Sequence, residues 1–528
     1  MMTTTISDDN YDKLQIENML LTQKVEQLQN ELESFKEFMR LAMHKRYGAS
    51  REKYVDPNQI TLYDDENKED TVDVPVEEPA TQEITYKRRK KKAFLKEQFE
   101  NLPIETIEYR LPKEEQICNC CVGQLHEMSK EVRREVKIVP AQFKIVEHVT
   151  IIYGCRNCEK ENITVPIKKA PTPRPALPGS PASSSAIAYI MSQKFVESMP
   201  LYRLEKHFER MGIVISRQTM SNWMINASER WLTLLYKQMK KELLKLNIIH
   251  CDETTLQVLK EPDRTAQSKS YLWLYRSGRY GPPIVLYEYK PTRSGECPKT
   301  FLDGFRGYIH VDGYKAYNKV TNARLSACWA HARRGFTDAI KSLPKNVKSE
   351  NQLNIISKKG LEYCNKLFEI ERFLKDETPE IRFIERLKRS KPILDEFKNW
   401  LDYHKPRTLS GSYVGKAIRY CLNIWDNLYV FLEHGMLEID NNRAERSIKP
   451  VVIGRKNFLF CNTPRGAKTA ATIYSIVESA KESGLNPITY LTYILDTLPN
   501  LEDINEESLQ KILPWSDSLP DFCKPKKG

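Results

Sequence analysis

Hydrophobic residues recur along this chain with different periods, and each period marks a different kind of region. Over residues 11–45 the repeat is seven: Leu14, Leu21, Leu28 and Phe35 share one seam position, with Asn18, Val25, Leu32 and Met39 filling the other. Such a seam with charged flanks predicts a long amphipathic helix that pairs as a coiled coil. Asn18 within the seam favours a parallel dimer in one register, at some cost in stability. A single helix packed on the protein's own core is the alternative. Between 186 and 245 the spacing becomes that of ordinary α-helices. Leu201 to Met211 forms one, ended by Gly212, and Ser216 caps a second through Arg217, Gln218, Thr219, Asn222 and Trp223. Beyond residue 245 strand-like and helical patterns alternate, as in an α/β domain. Strand-like runs cover 247–252, 271–276, 284–289, 307–312 and 325–329, with a short helix over 298–305.

Composition narrows the setting. The 40% hydrophobic and 29% charged content is that of a soluble protein. No apolar run approaches the roughly 18–20 residues of a membrane helix, and the N-terminus lacks signal-peptide features, so a cytoplasmic location is the default. The net charge of +12 favours a polyanionic partner. An acidic, Pro-containing stretch over 56–83 is followed by the basic run 87–92, which serves as a solvated tail or as an arm for DNA phosphates. The Pro/Ser/Ala-rich stretch 168–185 marks a domain boundary.

Two features carry chemistry. Cys118 and Cys121 form one Cys-x-x-Cys pair, and Cys155 and Cys158 another. Four thiolates so paired suit a structural Zn²⁺, with a β-hairpin between the pairs. Cys120 and His126 are rival ligands, and four free buried cysteines are the plain alternative. The second feature is a set of carboxylates. Asp252 and Asp312 each end a strand-like run, and Glu445 sits in IDNNRAERSIKP, where Asp440 or Asn441 caps a short helix. Three meandering strands, a helix, a strand, a helix and a strand is the order of a ribonuclease-H-like domain, which brings the two aspartates side by side. Close carboxylates repel unless a cation lies between them, so the set predicts a Mg²⁺ or Mn²⁺ site. Arg443, Arg446 and Lys449 beside Glu445 suit a phosphate-gripping surface. The implied chemistry is two-metal phosphoryl transfer on DNA.

With these motifs in hand, the sequence resembles the insertion sequence 66 family of transposases. HCDETTLQV (250–258), HVDGYKAYN (310–318), CWAHARRGF (328–336) and residues 439–491 are similar to its blocks, and RYGASREKY (46–54), the cysteine pairs, PLYRLEKHFERMG and the terminal ILPW agree in order. The resemblance implies a catalytic triad of Asp252, Asp312 and Glu445, zinc ligands at Cys118, Cys121, Cys155 and Cys158, and an α/β catalytic domain interrupted by helices. Its expected partners are double-stranded DNA at element ends and target, a second copy of the chain, and small accessory proteins. Arg217, Gln218, Thr219, Asn222, Arg446 and Lys449 are the expected DNA contacts. Cys328 and His331 look like a Cys-x-x-His pair found in several enzymes of this type; two ligands alone make a poor metal site, so the pair is expected to be structural.

The expected organisation is a multidomain α/β protein: a coiled-coil helix (1–55), an acidic linker and basic run (56–95), a zinc-binding β domain (96–167) and a linker (168–185). A helix-turn-helix (186–245), the first part of the ribonuclease-H-like core (246–336), a helical insertion (337–435), the glutamate helix with the helices after it (436–500) and a tail (501–528) follow. A DNA-binding regulator lacking catalysis and a nuclease for RNA–DNA hybrids are the competing functions.

Overall fold

Five strands form the mixed sheet on which the larger part of the protein is built, in a computed structural model that describes residues 8–47, 142–153, 168–343 and 352–524. The strands are β3 (Ile248–Gln257), β4 (Lys269–Ser277), β5 (Val285–Lys290), β6 (Tyr308–Val311) and β7 (Arg324–Ala327), in the order β5-β4-β3-β6-β7. β3, β4 and β5 run antiparallel as a meander, whereas β6 pairs parallel with β3 and β7 parallel with β6. β3 does not end on Asp252. It continues through Glu253 and two threonines to Gln257, because these residues stay paired with β4. The helix expected over 298–305 spans Glu296–Phe301, and a 3₁₀ turn, Lys315–Lys319, stands where a second helix was expected.

The outer edge of β5 is sealed by the helix Pro464–Glu482. Ser475 and Ser479, one turn apart, accept hydrogen bonds from Tyr287 N (2.8 Å) and Val285 N (2.9 Å). Two hydroxyls thus satisfy edge groups that would otherwise invite another strand.

Two hydrophobic clusters sit on this frame. One surrounds the sheet and includes Trp273, Tyr275, Phe301 and Ile473. The other gathers Trp329, Phe336, Phe397, Leu401 and Phe431 from the helices after β7. Those helices are Trp329–Ser342, Gln352–Phe373, Pro379–Glu385, Lys391–His404, Tyr413–Asn423 and Trp425–Tyr429, so the described part of 337–435 is built of helices joined by turns, without a strand. Two arginines are buried among them: Arg382 and Arg386 both pair with Glu371.

The N-terminal helix, Asp8–Tyr47, has two working faces. Glu37 and Leu41 are buried; Glu37 accepts from Tyr413 N (3.0 Å), and Arg40 donates to the carbonyl of Ser342 (2.5 Å). The seam residues Leu21, Val25, Leu28, Leu32, Phe35 and Met39 are 46–60% exposed. The helix therefore does pack on its own protein, but through a face other than the heptad seam.

The paired helices Leu201–Arg210 and Arg217–Ala227 occur as expected, with Gly212 at φ +83° between them and Ser216 accepting from Thr219 N. A separate small unit contains β1 (Ile152–Tyr153) and β2 (Lys168–Lys169), paired antiparallel. The expected zinc ligands Cys118, Cys121, Cys155 and Cys158, the expected linker 56–83 and the basic run 87–92 lie outside the described residues. No described helix is long and apolar enough to cross a membrane.

Candidate active site

The parallel pairing of β3 with β6 sets the two aspartates level. Ile249 faces Ile309 and His250 faces His310, and each aspartate lies two residues further on, hence on the same side of its strand. Asp252 accepts from Glu253 N, and Asp312 from Tyr314 N, both at 2.8 Å. Glu445 comes from the first turn of the helix Asn442–Phe458, where a carboxylate suits the positive end of the helix dipole. Its Oε1 is buried and has no hydrogen-bond partner, while Oε2 lies 3.7 Å from Arg334. Burial pushes the Asp252 carboxyl up to about 7, and the negative charges of Glu253, Asp312 and Glu445 add to the rise. Asp252 thus senses both of the other carboxylates.

The helix does not start as the sequence suggested. It runs for 17 residues rather than forming a short turn, and Asn441 occupies the cap position without a side-chain capping bond. The Asn441 amide is used elsewhere: Nδ2 donates to the carbonyl of Cys251 (2.8 Å), which leaves Oδ1 to accept from His250 Nδ1 (2.8 Å). Asp440 instead accepts from Asn442 N at 3.0 Å.

Behind the aspartates, the rings of His250 and His310 stack 4.8 Å apart, fully buried. His310 donates to the carbonyl of Glu438, and burial lowers its pKa to about 3, so the ring is neutral. His250 Nε2 lies 3.1 Å from the Glu438 carboxylate. Burial alone would raise Glu438, but His250 and Arg443 hold it well below the usual carboxylate range. This chain of contacts fixes the glutamate helix to both aspartate strands. The sequence carried its signal in the repeated His-x-Asp of β3 and β6.

Glu253 was also missed. It points away from Asp252 and is saturated, accepting from Arg293 Nε (2.9 Å) and Tyr317 Oη (2.7 Å). Arg293 in turn lies over the ring of Tyr314, 3.7 Å from its centre, beside the Asp312 turn. A carboxylate already held by two donors is a poor cation ligand, which leaves Asp252 as the available acid on β3.

Of the residues expected to meet DNA, Arg217, Gln218 and Asn222 are exposed, with Gln218 donating to Asn222 (3.0 Å). Thr219 is half-buried and bonded to Ser216 Oγ (2.9 Å), so it supports the cap. Arg446 and Lys449 are exposed on the glutamate helix, and Lys456 extends the same basic face.

The fold and site thus define an α/β protein in which Asp252 on β3 and Asp312 just past the end of β6 stand beside the helix that carries Glu445. The chain belongs to the IS66 transposase family: residues 179–469, more than half of it, match the model described as Transposase IS66 family. Residues 115–159 match the zinc-finger binding domain of transposase IS66, and 475–515 the IS66 C-terminal element. Residues 34–107 match a model described as Transposase C of IS166 homeodomain. Membership implies use of a divalent metal, and the zinc-finger match, which encloses all four knuckle cysteines, implies zinc. Among the relatives is the uncharacterized protein y4jD of Sinorhizobium fredii, 32% identical, covering 76% of this chain and 78% of that protein. The uncharacterized protein y4hP of the same organism is 27% identical, covering 75% and 73%.

Proposed function

We propose that this protein binds the ends of an insertion sequence, cuts the DNA there and joins the freed end to a target. The observation that carries this reading is the register of parallel β3 and β6, which brings Asp252 on one strand level with Asp312 just past the end of the other, and Glu445 adds to the charge that raises Asp252. The order β5-β4-β3-β6-β7, with an antiparallel meander followed by parallel strands, fits a ribonuclease-H-like core. A divalent cation suits the chemistry of these residues: a carboxyl that burial and like charges push towards protonation is relieved by a cation, and Glu445 Oε1 accepts no hydrogen bond.

Asp252, Asp312 and Glu445 would hold Mg²⁺ or Mn²⁺. When bound, the ions supply activation of a water or 3′-hydroxyl and stabilisation of the leaving oxygen, so no protein nucleophile is required. The chain's own residues orient the site. His250 and Asn441 fix where the glutamate helix starts, and Tyr314 N and Glu253 N each hold one aspartate oxygen. Arg446 and Lys449 present positive charge to DNA phosphates beside the acids. The exposed face of Arg217–Ala227 suits a recognition helix, Cys118, Cys121, Cys155 and Cys158 would hold Zn²⁺, and the open heptad seam suits pairing of two copies.

The test is nicking by the full-length protein of a duplex carrying the element's terminal repeat. Mg²⁺- or Mn²⁺-dependent cleavage is expected, reduced at least about a thousandfold, or about 4 kcal/mol, in Asp252→Asn with folding retained. Specific end binding without cleavage in any divalent metal would overturn the reading and leave a DNA-binding regulator.

A further inference from the structure

We propose that Cys328, His331 and Glu445 form a second cation site, selective for a thiophilic divalent ion such as Zn²⁺, which competes for Glu445 with the DNA-cutting chemistry. The competition rests on the function proposed above; the binding itself does not.

Cys328 and His331 stand at the start of the helix Trp329–Ser342, a spacing that turns both side chains to one side of its first turn. Two ligands make a weak site, but the fold adds Glu445, from a helix more than a hundred residues later in the chain. One ligand atom from each of the three lies within 4.8 Å of the others. His331 Nε2 and Glu445 Oε1 are 3.9 Å apart. In a tetrahedral zinc site such atoms stand about 3.5 Å apart, so closure takes a shift of roughly an ångström.

Two further observations point to a ligand. Glu445 Oε1, which faces His331 Nε2, is a buried atom without a hydrogen-bond partner, although polar atoms in that position are normally satisfied. The cysteine is also unlike its neighbours. Cys251, Cys364 and Cys421 are buried within the hydrophobic clusters, whereas Cys328, just as buried, joins neither. Its sulfur accepts from Asn441 N at 3.1 Å. An N–H donor on a sulfur at a helix N-terminus stabilises a thiolate once a cation displaces its proton. Thiolate, imidazole and carboxylate together carry two negative charges, matching one divalent ion, and leave a fourth position open. The mix of sulfur and nitrogen selects Zn²⁺ or Co²⁺ over the Mg²⁺ that an all-carboxylate site prefers.

Co²⁺ titration of the full-length protein, prepared with its zinc-finger domain loaded with Zn²⁺, decides the matter. The expected result is a thiolate-to-cobalt charge-transfer band with tetrahedral d–d absorption, lost in Cys328→Ser. His331→Ala keeps the thiol, and should weaken binding by at least the roughly 10–100-fold lost when an outer partner of a metal ligand is removed. Circular dichroism of each variant confirms folding, and His331→Ala serves if Cys328→Ser does not fold. Identical spectra and stoichiometry in wild type and variants would overturn the proposal. The spectra are recorded without DNA, so a protein that binds Co²⁺ here but never nicks refutes the cutting reaction alone.

Discussion

The sheet half and the helical half of the larger unit both bury large aromatic clusters, yet they place their buried polar groups differently. Beneath the carboxylates, His250, His310 and Asn441 are fully or almost fully buried and connect β3 and β6 to the glutamate helix. In the insertion, Arg382 and Arg386 bind Glu371 and the ends of neighbouring segments, and both donate to the carbonyl of Leu437. The next residue, Glu438, holds His250 and His310. The two polar clusters therefore meet at consecutive residues. The helical segment between Asp312 and Glu445 is more than a spacer, because its charged centre fixes the point from which the chain returns to the glutamate helix.

That link is broken most directly at Arg386. Removing a fully buried guanidinium leaves Glu371 underpaired and strips donors from the carbonyls of Phe431, His434 and Leu437. Arg386→Ala is expected to cost about 3–5 kcal/mol in denaturant unfolding. It should also raise hydrogen exchange over 437–445 in the variant under native conditions. Unchanged protection there would show that the two halves are independent.

A smaller effect separates the halves by pH. Because the Asp252 carboxyl is raised to about 7, the folded protein holds that proton over a range where the unfolded chain has lost it. The stabilisation is present in full below the ordinary aspartate pKa near 4 and is lost as pH rises through about 7. In Mg²⁺-free buffer, unfolding free energy should fall by up to a few kcal/mol over that window. Asp252→Asn should flatten the slope; an equal slope in the variant would mean that other groups dominate.

How much of this was legible in the sequence differs between the halves for a physical reason. Strands buried on both faces leave continuous apolar runs, so β4, β5 and β6 were visible within a few residues. Asp252, Glu253 and two threonines hid the second half of β3, whose polar side chains sit at a ladder position that only pairing with Trp273 and its neighbours reveals. The insertion's helices were readable as a class, but their ion cluster was not: Glu371, Arg382 and Arg386 look like ordinary surface charge until the fold buries them. Cys328 and His331 were visible as a pair, but the missing third donor comes from Glu445, and no local spacing announces a residue so distant. The exposed heptad seam was read correctly as a stripe, while the face that binds Tyr413 and Ser342 was not seen, since it consists of Glu37, Arg40 and Leu41 at mixed polarity.

One contact between the halves reaches the proposed chemistry through a single hydrogen bond. Tyr420, from the insertion, donates its hydroxyl to the carbonyl of Asp312 at 2.8 Å. Gly313 follows with φ +94°, and a Cβ there would come within 3.1 Å of that hydroxyl. The tyrosine thus supports the left-handed turn that aims the Asp312 carboxylate. Tyr420→Phe removes one hydrogen bond and keeps the ring, so the expected stability loss is about 1 kcal/mol. If the contact only fills space, metal-dependent nicking should be untouched. If it orients Asp312, cleavage should fall by up to about tenfold at saturating DNA, with DNA affinity unchanged, because a misdirected ligand weakens the transition state rather than the DNA grip.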